Sequence, residues 1–196
     1  LVGDCRERLR ELPTNYYQTI LADPPWQFTH RTGKGSPEHA RLHRYATMSI
    51  DQLLMLPVEQ VAARNSHLYL WVPNALLPDG IQLLQRWGFV YKTQLVWLKT
   101  TKAGDVDPRG MGFYYRNATE AILFGVRGTL RTHPPARSLT NVIRARRTKH
   151  SEKPQALHEL IEASSPGPYL ELFARTRRPN WDVLGDDKAL SKVDVA

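Results

Sequence analysis

Thr19-Ile20-Leu21-Ala22-Asp23-Pro24-Pro25-Trp26 is an apolar run that ends in a carboxylate, two prolines and an indole. Consecutive apolar and β-branched residues read as a buried parallel strand, and the prolines then stop ladder pairing and fix the exit of the chain. Asp23 is thereby presented at a strand's carboxyl end, the edge at which open α/β sheets bind ligands. Pro24 and Pro25 bring no N–H donor, which predicts that the carbonyls around them stay available as acceptors. Such acceptors beside a flat aromatic suit the exocyclic amine of a nucleobase. The amine donates to Asp23 and to a carbonyl of the proline segment while the Trp26 indole stacks on the ring, at about 1–3 kcal/mol per stacked base. The plain alternative is a tight strand-to-loop turn with a buried aromatic.

Upstream of this stretch, Leu1-Val2-Gly3-Asp4-Cys5 reads as the tail of a strand and a turn, placing Asp4 at a second strand end, and Arg6 to Leu12 reads as a short helix ended by Pro13. The start at Leu1 rather than Met implies a preceding segment. Downstream, Gln27 to Tyr45 is polar and broken by Gly33, Gly35 and Pro37, with His30, Arg31, Lys34, Arg41 and Arg44 as positive groups. A loop directly after a reactive edge is a candidate lid or substrate clamp, or else an ordinary surface loop. Ser49 and Gln52 form a capping-box pattern for a helix to about Met55, and Pro57 restarts a second one to Arg64.

His67 to Val72 predicts a strand, and Pro78 opens a helix in which Ile81, Leu84 and Trp87 recur before the stop at Gly88. Phe89 to Leu98 predicts a long strand with Phe89, Tyr91, Leu95 and Trp97 on one face, as core residues. A loop from Thr100 to Gly112, a strand from Glu120 to Val126 and a short strand-like piece at Asn141-Val142-Ile143 follow. Pro154 opens a helix carrying Leu157, Leu160 and Ile161, which Pro166-Gly167 ends. Tyr169 to Phe173 is the last clear strand, Arg175 to Trp181 reads as a basic turn, and Lys188 to Ala196 as a frayed tail. Strands alternating with helices predict an α/β fold, without repeats or an interdomain linker.

The 196 residues, 41% hydrophobic, suit one domain with its own core. No apolar run approaches membrane-spanning length, and the start lacks a signal-peptide pattern. Cys5 is the only cysteine, which forbids an intramolecular disulfide and predicts a reducing, cytoplasmic-type compartment. His39 and His43 stand four apart but lack a third ligand, so no metal centre is expected. The net charge of +8 is concentrated: Arg127, Arg131, Arg137, Arg144, Arg146, Arg147 and Lys149 fall between Glu120 and Glu152 with no acidic residue among them. With few apolar residues to suggest a core role, that segment predicts a polyanionic partner.

Together these motifs resemble the adenine-N6 methyltransferase family typified by the catalytic subunit of the mRNA N6-methyladenosine writer, most of all its bacterial and phage members. The resemblance runs from Asp4 to Asp187 and rests first on Asp23-Pro24-Pro25-Trp26, the family's catalytic tetrad. It rests further on Tyr45-Ala46-Thr47-Met48-Ser49, Leu70-Trp71-Val72, Val96-Trp97-Leu98-Lys99-Thr100, and Glu120 followed by Leu123-Phe124-Gly125-Val126-Arg127-Gly128. His150-Ser151-Glu152-Lys153-Pro154, Glu171-Leu172-Phe173-Ala174-Arg175 and Pro179-Asn180-Trp181-Asp182-Val183-Leu184-Gly185 complete it.

The resemblance implies a Rossmann-like methyltransferase sheet in permuted order, S-adenosylmethionine as methyl donor and adenine N6 as acceptor. It implies Asp4, Cys5, Lys153, Glu171, Phe173, Arg175, Asn180, Asp186 and Asp187 at the donor, with Lys153 meeting its carboxylate. Tyr45, Arg31, Lys34 and Arg44, with Arg144, Arg146 and Arg147 of the basic segment, are the expected nucleic-acid contacts. A homo- or heterodimer is also expected, because the family forms pairs. Two departures stand out: Asp186-Asp187 replace Asn-Gln of the mRNA enzyme, and the segment after Arg175 is two residues shorter, with Arg177 and Arg178 in place of His and Asn. Methyl transfer is an in-line displacement, so the protein must hold the acceptor nitrogen about 3 Å from the methyl. The expected function is adenine-N6 methylation of nucleic acid, DNA favoured over RNA. The alternative is a noncatalytic nucleic-acid-binding subunit, against which the retained Asp23 and Trp26 speak.

Overall fold

The computed structural model describes residues 2–28, 47–110, 112, 114–147 and 153–185, of which 2–5 and 135 are described through their backbone alone. In the described residues seven strands form one sheet: β1 (Tyr17–Ala22), β2 (Ala62–Val72), β3 (Val90–Thr100), β4 (Thr119–Arg127), β5 (Val142–Arg146), β6 (Tyr169–Ala174) and β7 (Trp181–Gly185), in the order β5-β3-β4-β2-β1-β6-β7. β1 pairs in parallel with both β2 and β6, β6 with β7, and β3 with β5, whereas β4 runs antiparallel to both neighbours. Six carboxyl ends therefore meet at one edge of the sheet. β4 brings its amino end, Thr119 and Glu120, to that same edge.

One face of the sheet carries α1 (Val2–Glu11), α2 (Ile50–Leu54), α3 (Val58–Val61) and α4 (Leu77–Arg86) over a core that includes Ile20, Ala22, Leu68, Leu70, Leu84, Trp87, Leu170 and Leu172. The other carries α5 (Gln155–Ser164) over Leu21, Tyr69, Trp71, Trp97, Ile122, Leu157 and Ile161. Successive residues of β1 thus feed opposite cores, as expected of a strand buried on both faces. The Ser49 hydroxyl accepts from Gln52 N–H while the Gln52 side chain accepts from Ser49 N–H, the capping box read from the sequence. Gly88, at φ 85°, ends α4 in a backbone conformation open chiefly to glycine.

The structure corrects several expectations. Residues 2–5 belong to α1, not to a strand: the Arg-Glu-Arg-Leu-Arg-Glu composition propagates the helix toward its start, and Leu9 docks it on the core. Asp4 is therefore at a helix start, not a strand end. The helix expected to run to Arg64 stops at Val61, where β2 begins. Phe89 and Trp97 face opposite cores, because an irregularity between Tyr91 and Thr93 shifts the register of β3 against β4 by one residue and inverts the alternation. The turn read at Arg175 to Trp181 leads into a further strand, β7. Arg31, Lys34, His39, His43, Arg44, Tyr45, Lys149, Asp186, Asp187 and the tail from Lys188 lie outside the described residues.

Candidate active site

Asp23 follows β1 directly and is tied into the sheet by its own N–H, which donates to Leu172 O of β6 at 3.4 Å. Parallel neighbours on both sides hold the strand end, so the carboxylate stands at the carboxyl edge with little backbone freedom. The next two carbonyls are not left over. Pro24 O accepts from Trp26 N–H and Pro25 O from Met48 N–H, each at 2.8 Å. This corrects the expectation that the missing proline N–H groups leave those oxygens free: a proline lacks a donor, but its carbonyl still finds one elsewhere. Each keeps a second lone pair.

Trp26 also departs from expectation. Its side chain is only 7% exposed, packs in the core with Met48 and Leu53, and donates from Nε1 to Trp71 O at 2.9 Å. An indole in that position clamps the loop to the end of β2 and offers no face for stacking.

Around Asp23 the edge carries a row of alternating charges. Lys153, two residues before α5, lies 3.3 Å from Asp23 Oδ1 and 3.0 Å from Glu120 Oε2, with its ammonium 4.5 Å from the Trp71 ring centroid. Glu120, at the start of β4, reaches Lys99 Nζ at 2.7 Å with its other oxygen, and Lys99 lies near the end of β3 over Trp97. Two acids and two ammonium groups thus alternate as Asp23, Lys153, Glu120 and Lys99.

Their environment sorts the charges. For Asp23, burial dominates and raises the proton affinity, although Lys153 and Arg175 pull the other way. For Glu120, burial also raises it, but Lys153 and Lys99 together outweigh that and leave the carboxyl below its usual range. Lys153 is pushed down by burial and more than restored by Asp23 and Glu120, ending above the ordinary lysine value. Glu120 is therefore the settled anion of the pair, held by two cations, while Asp23 shares one of them and holds a proton more readily.

The remaining expected donor contacts fall into three groups. Glu171, inside β6, lies 2.9 Å from His158 Nε2 of α5, a contact in which the ring donates and the carboxylate accepts; His158 Nδ1 is buried without a hydrogen-bond partner among the described residues. Phe173 and Asn180 bracket the β6–β7 turn and both have left-handed backbone, at φ 64° and 65°. Asparagine tolerates that region, but for phenylalanine it costs on the order of 1 kcal/mol or more, here at a register shift between β6 and β7. α1 runs from this edge toward the start of β1, and Arg8 donates to Gly185 O at 3.3 Å, so the backbone at Asp4 and Cys5 starts at the same edge. Arg144 and Arg146 are exposed on β5 at the sheet's margin; Arg146 pairs by register with Thr100, and Arg147 follows.

Sequence reasoning gave no role to Glu120 or Lys99, although both stood inside quoted motifs. The usable signal is the hairpin order β3-loop-β4: an antiparallel step returns the chain, so the last residues of one strand and the first of the next meet at the edge that Asp23 occupies. His158 gave no signal, because it lies among the apolar positions of α5. A separate cavity of about 130 Å³ among Tyr69, Phe124, Leu139 and Leu160 shares no residue with this row.

The model of the MT-A70 family matches residues 17–187. The type II methyltransferase M.MunI of Mycoplasma sp is 30% identical over 210 residues, which span 99% of this chain and 87% of that protein. A putative N(6)-adenosine-methyltransferase MT-A70-like protein of Medicago truncatula is 30% identical over 177 residues, 87% of this chain and 26% of its own length. The human N(6)-adenosine-methyltransferase catalytic subunit METTL3 is 29% identical over 174 residues, 87% of this chain and 28% of its own length. The chain thus spans most of the first relative and about a quarter of the other two.

Proposed function

The chain belongs to the MT-A70 family and is an adenine-N6 methyltransferase, and from that premise we propose that it uses S-adenosylmethionine to methylate adenine in DNA. The observation that carries the reading is Asp23: a carboxylate at a rigid strand end, its side chain 25% exposed and so open to a ligand, with proton affinity raised by burial. It accepts a hydrogen bond from the N6 amine, and the second lone pair of Pro24 or Pro25 O accepts the other. Two such bonds draw the nitrogen lone pair out of conjugation with the ring. Methyl transfer would break the methyl's bond to the donor's sulfur, which keeps the electron pair, and would leave the nitrogen with a proton to shed, which a carboxylate that holds protons readily is suited to take.

The residues present fit S-adenosylmethionine by their chemistry. Lys153 can meet a carboxylate, Glu171 can hold an ammonium or hydroxyl groups, and the strained backbone at Phe173 shapes the edge between β6 and β7. The donor supplies the methyl group when bound. Lys153 would then have three possible anions for one ammonium: Asp23, Glu120 and the donor's carboxylate.

DNA is favoured over RNA because a type II methyltransferase is similar over 99% of this chain and 87% of its own length. The single cysteine suits a reducing compartment, and pairing of two chains rests on the family resemblance, to be read as mass in solution. Incubation with labelled donor and either DNA or RNA, followed by digestion to nucleosides, tests the proposal. N6-methyladenine in DNA supports it; label in RNA alone, or in cytosine, overturns it.

A further inference from the structure

Residues 101–118 connect β3 to β4, so the loop leaves the sheet next to Lys99 and returns next to Glu120, both members of the charged row at Asp23. Both legs are anchored. Thr101 N–H donates to Asp105 O and Asp107 N–H to Lys99 O, at 2.8 and 2.9 Å, and the buried Asp107 carboxylate accepts from Arg109 N, Nε and Nη2. On the return leg Lys99 N–H donates to Ala118 O, and Asn74 Nδ2 to Asn117 Oδ1 and Thr119 O. A Cβ on Gly110 would run into the Asn117 backbone and one on Gly112 into the Tyr115 carbonyl, so the two legs lie in contact up to the tip.

At the tip of this braced loop Tyr114 and Tyr115 are 88% and 87% exposed, followed by the exposed Arg116. Rings exposed to this degree add little to the packing of the core. Leaving two rings unburied forgoes the stabilisation that similar rings supply in the core. Arg146, opposite Thr100 in the β5–β3 register, adds positive charge where the loop begins.

We propose that Tyr114 and Tyr115 form a stacking element for the nucleotides that flank the target adenine. The inference rests on the proposed nucleic-acid substrate and deepens it. An adenine leaving a helix removes a stacking partner from each neighbouring base. A tyrosine ring replaces such a partner without reading sequence, while Arg116 and Arg146 meet the adjoining phosphates. The placement suits this role: the loop grows from the same edge as Asp23, and its two stems carry Lys99 and Glu120.

The test is the affinity of labelled mixed-sequence DNA for the wild type, the Tyr114→Ala, Tyr115→Ala double variant and the corresponding double phenylalanine variant, across several salt concentrations. Stacking predicts that the alanine variant binds about 10-fold or more weakly, with the salt slope and melting temperature unchanged, and that phenylalanine restores binding. Wild-type affinity in the alanine variant overturns the proposal, as does failure of phenylalanine to restore it. A change in oligomeric state with DNA affinity intact assigns the tip to a protein interface and equally overturns it. If the wild type itself does not methylate adenine in DNA, the substrate reading fails; if it does and the tyrosines are indifferent, only this inference fails.

Discussion

Asp23 and Glu120 contend for one lysine, and their opposite shifts make opposite demands on stability. Glu120 has its folded-state value below the ordinary 4.5, so its contribution is present above that pH and is lost as pH falls through the folded value. Asp23 is raised above the ordinary 3.8, so the folded protein holds that proton more tightly and loses stability as pH rises from about 3.8 through the raised value. Asp23→Asn is therefore expected to cut methyl transfer by about 100-fold or more while the protein is no less stable than wild type at neutral pH. Glu120→Gln is expected to cost about 1–3 kcal/mol above pH 4.5, since Lys99 loses its anion and Lys153 is left with Asp23 alone. Denaturant midpoints of the three proteins between acid and neutral pH check both signs; a marked loss of stability in Asp23→Asn at neutral pH would sink the account. The sequence made Asp23 readable because prolines punctuate its strand. Glu120 was not readable as its neighbour, because the contact needs the hairpin between β3 and β4, and Trp26 misled because an indole's chemistry does not say which way it points.

β5 is the margin of the sheet, and it separates two jobs by alternation. Ile143 is 5% exposed and Ala145 packs on the same core, whereas Arg144 and Arg146 face outward. Ile143→Ala should cost about 2–5 kcal/mol in chemical denaturation. Arg144→Ala, Arg146→Ala and Arg147→Ala together should leave the midpoint nearly unchanged, yet weaken DNA binding and flatten the log-log salt slope by about 0.7 to 0.9 per lost phosphate contact. An unchanged slope in the triple variant would assign these arginines to solubility or to a protein partner. The basic composition of this segment pointed to a polyanionic partner but concealed its core anchor. Helices were legible where local chemistry marks their ends, as at Ser49 and Gln52 or Gly88, and Ser49→Ala should cost about 1 kcal/mol. Strand content was less so. β7 hides behind a basic turn, and one shifted residue in β3 sends Phe89 and Trp97 to different cores, a tertiary choice that no local pattern announces.

At the scale of the whole molecule the site draws on β1, β3, β4, β6 and the approach to α5, so a ligand that bridges them should bind only the folded state. S-adenosylmethionine at about 100 times its Kd should stabilise by about 2.7 kcal/mol. For a chain of this size that is a rise of about 5–10 °C in melting temperature. Lys153→Ala should shrink that rise at the same donor concentration, and an undiminished rise would show that Lys153 does not meet the donor. The pairing of Ala22 with Leu172 has another consequence, in time rather than in space. About 150 residues separate the partners, so at roughly 5–20 residues per second a ribosome needs on the order of 10–30 s after making β1 to deliver β6. Throughout that interval β1 has an open, apolar edge beside the tetrad, the kind of edge that recruits foreign strands. The nascent chain is thus prone to aggregate at the strand that later presents Asp23, and chaperone demand during synthesis should concentrate there.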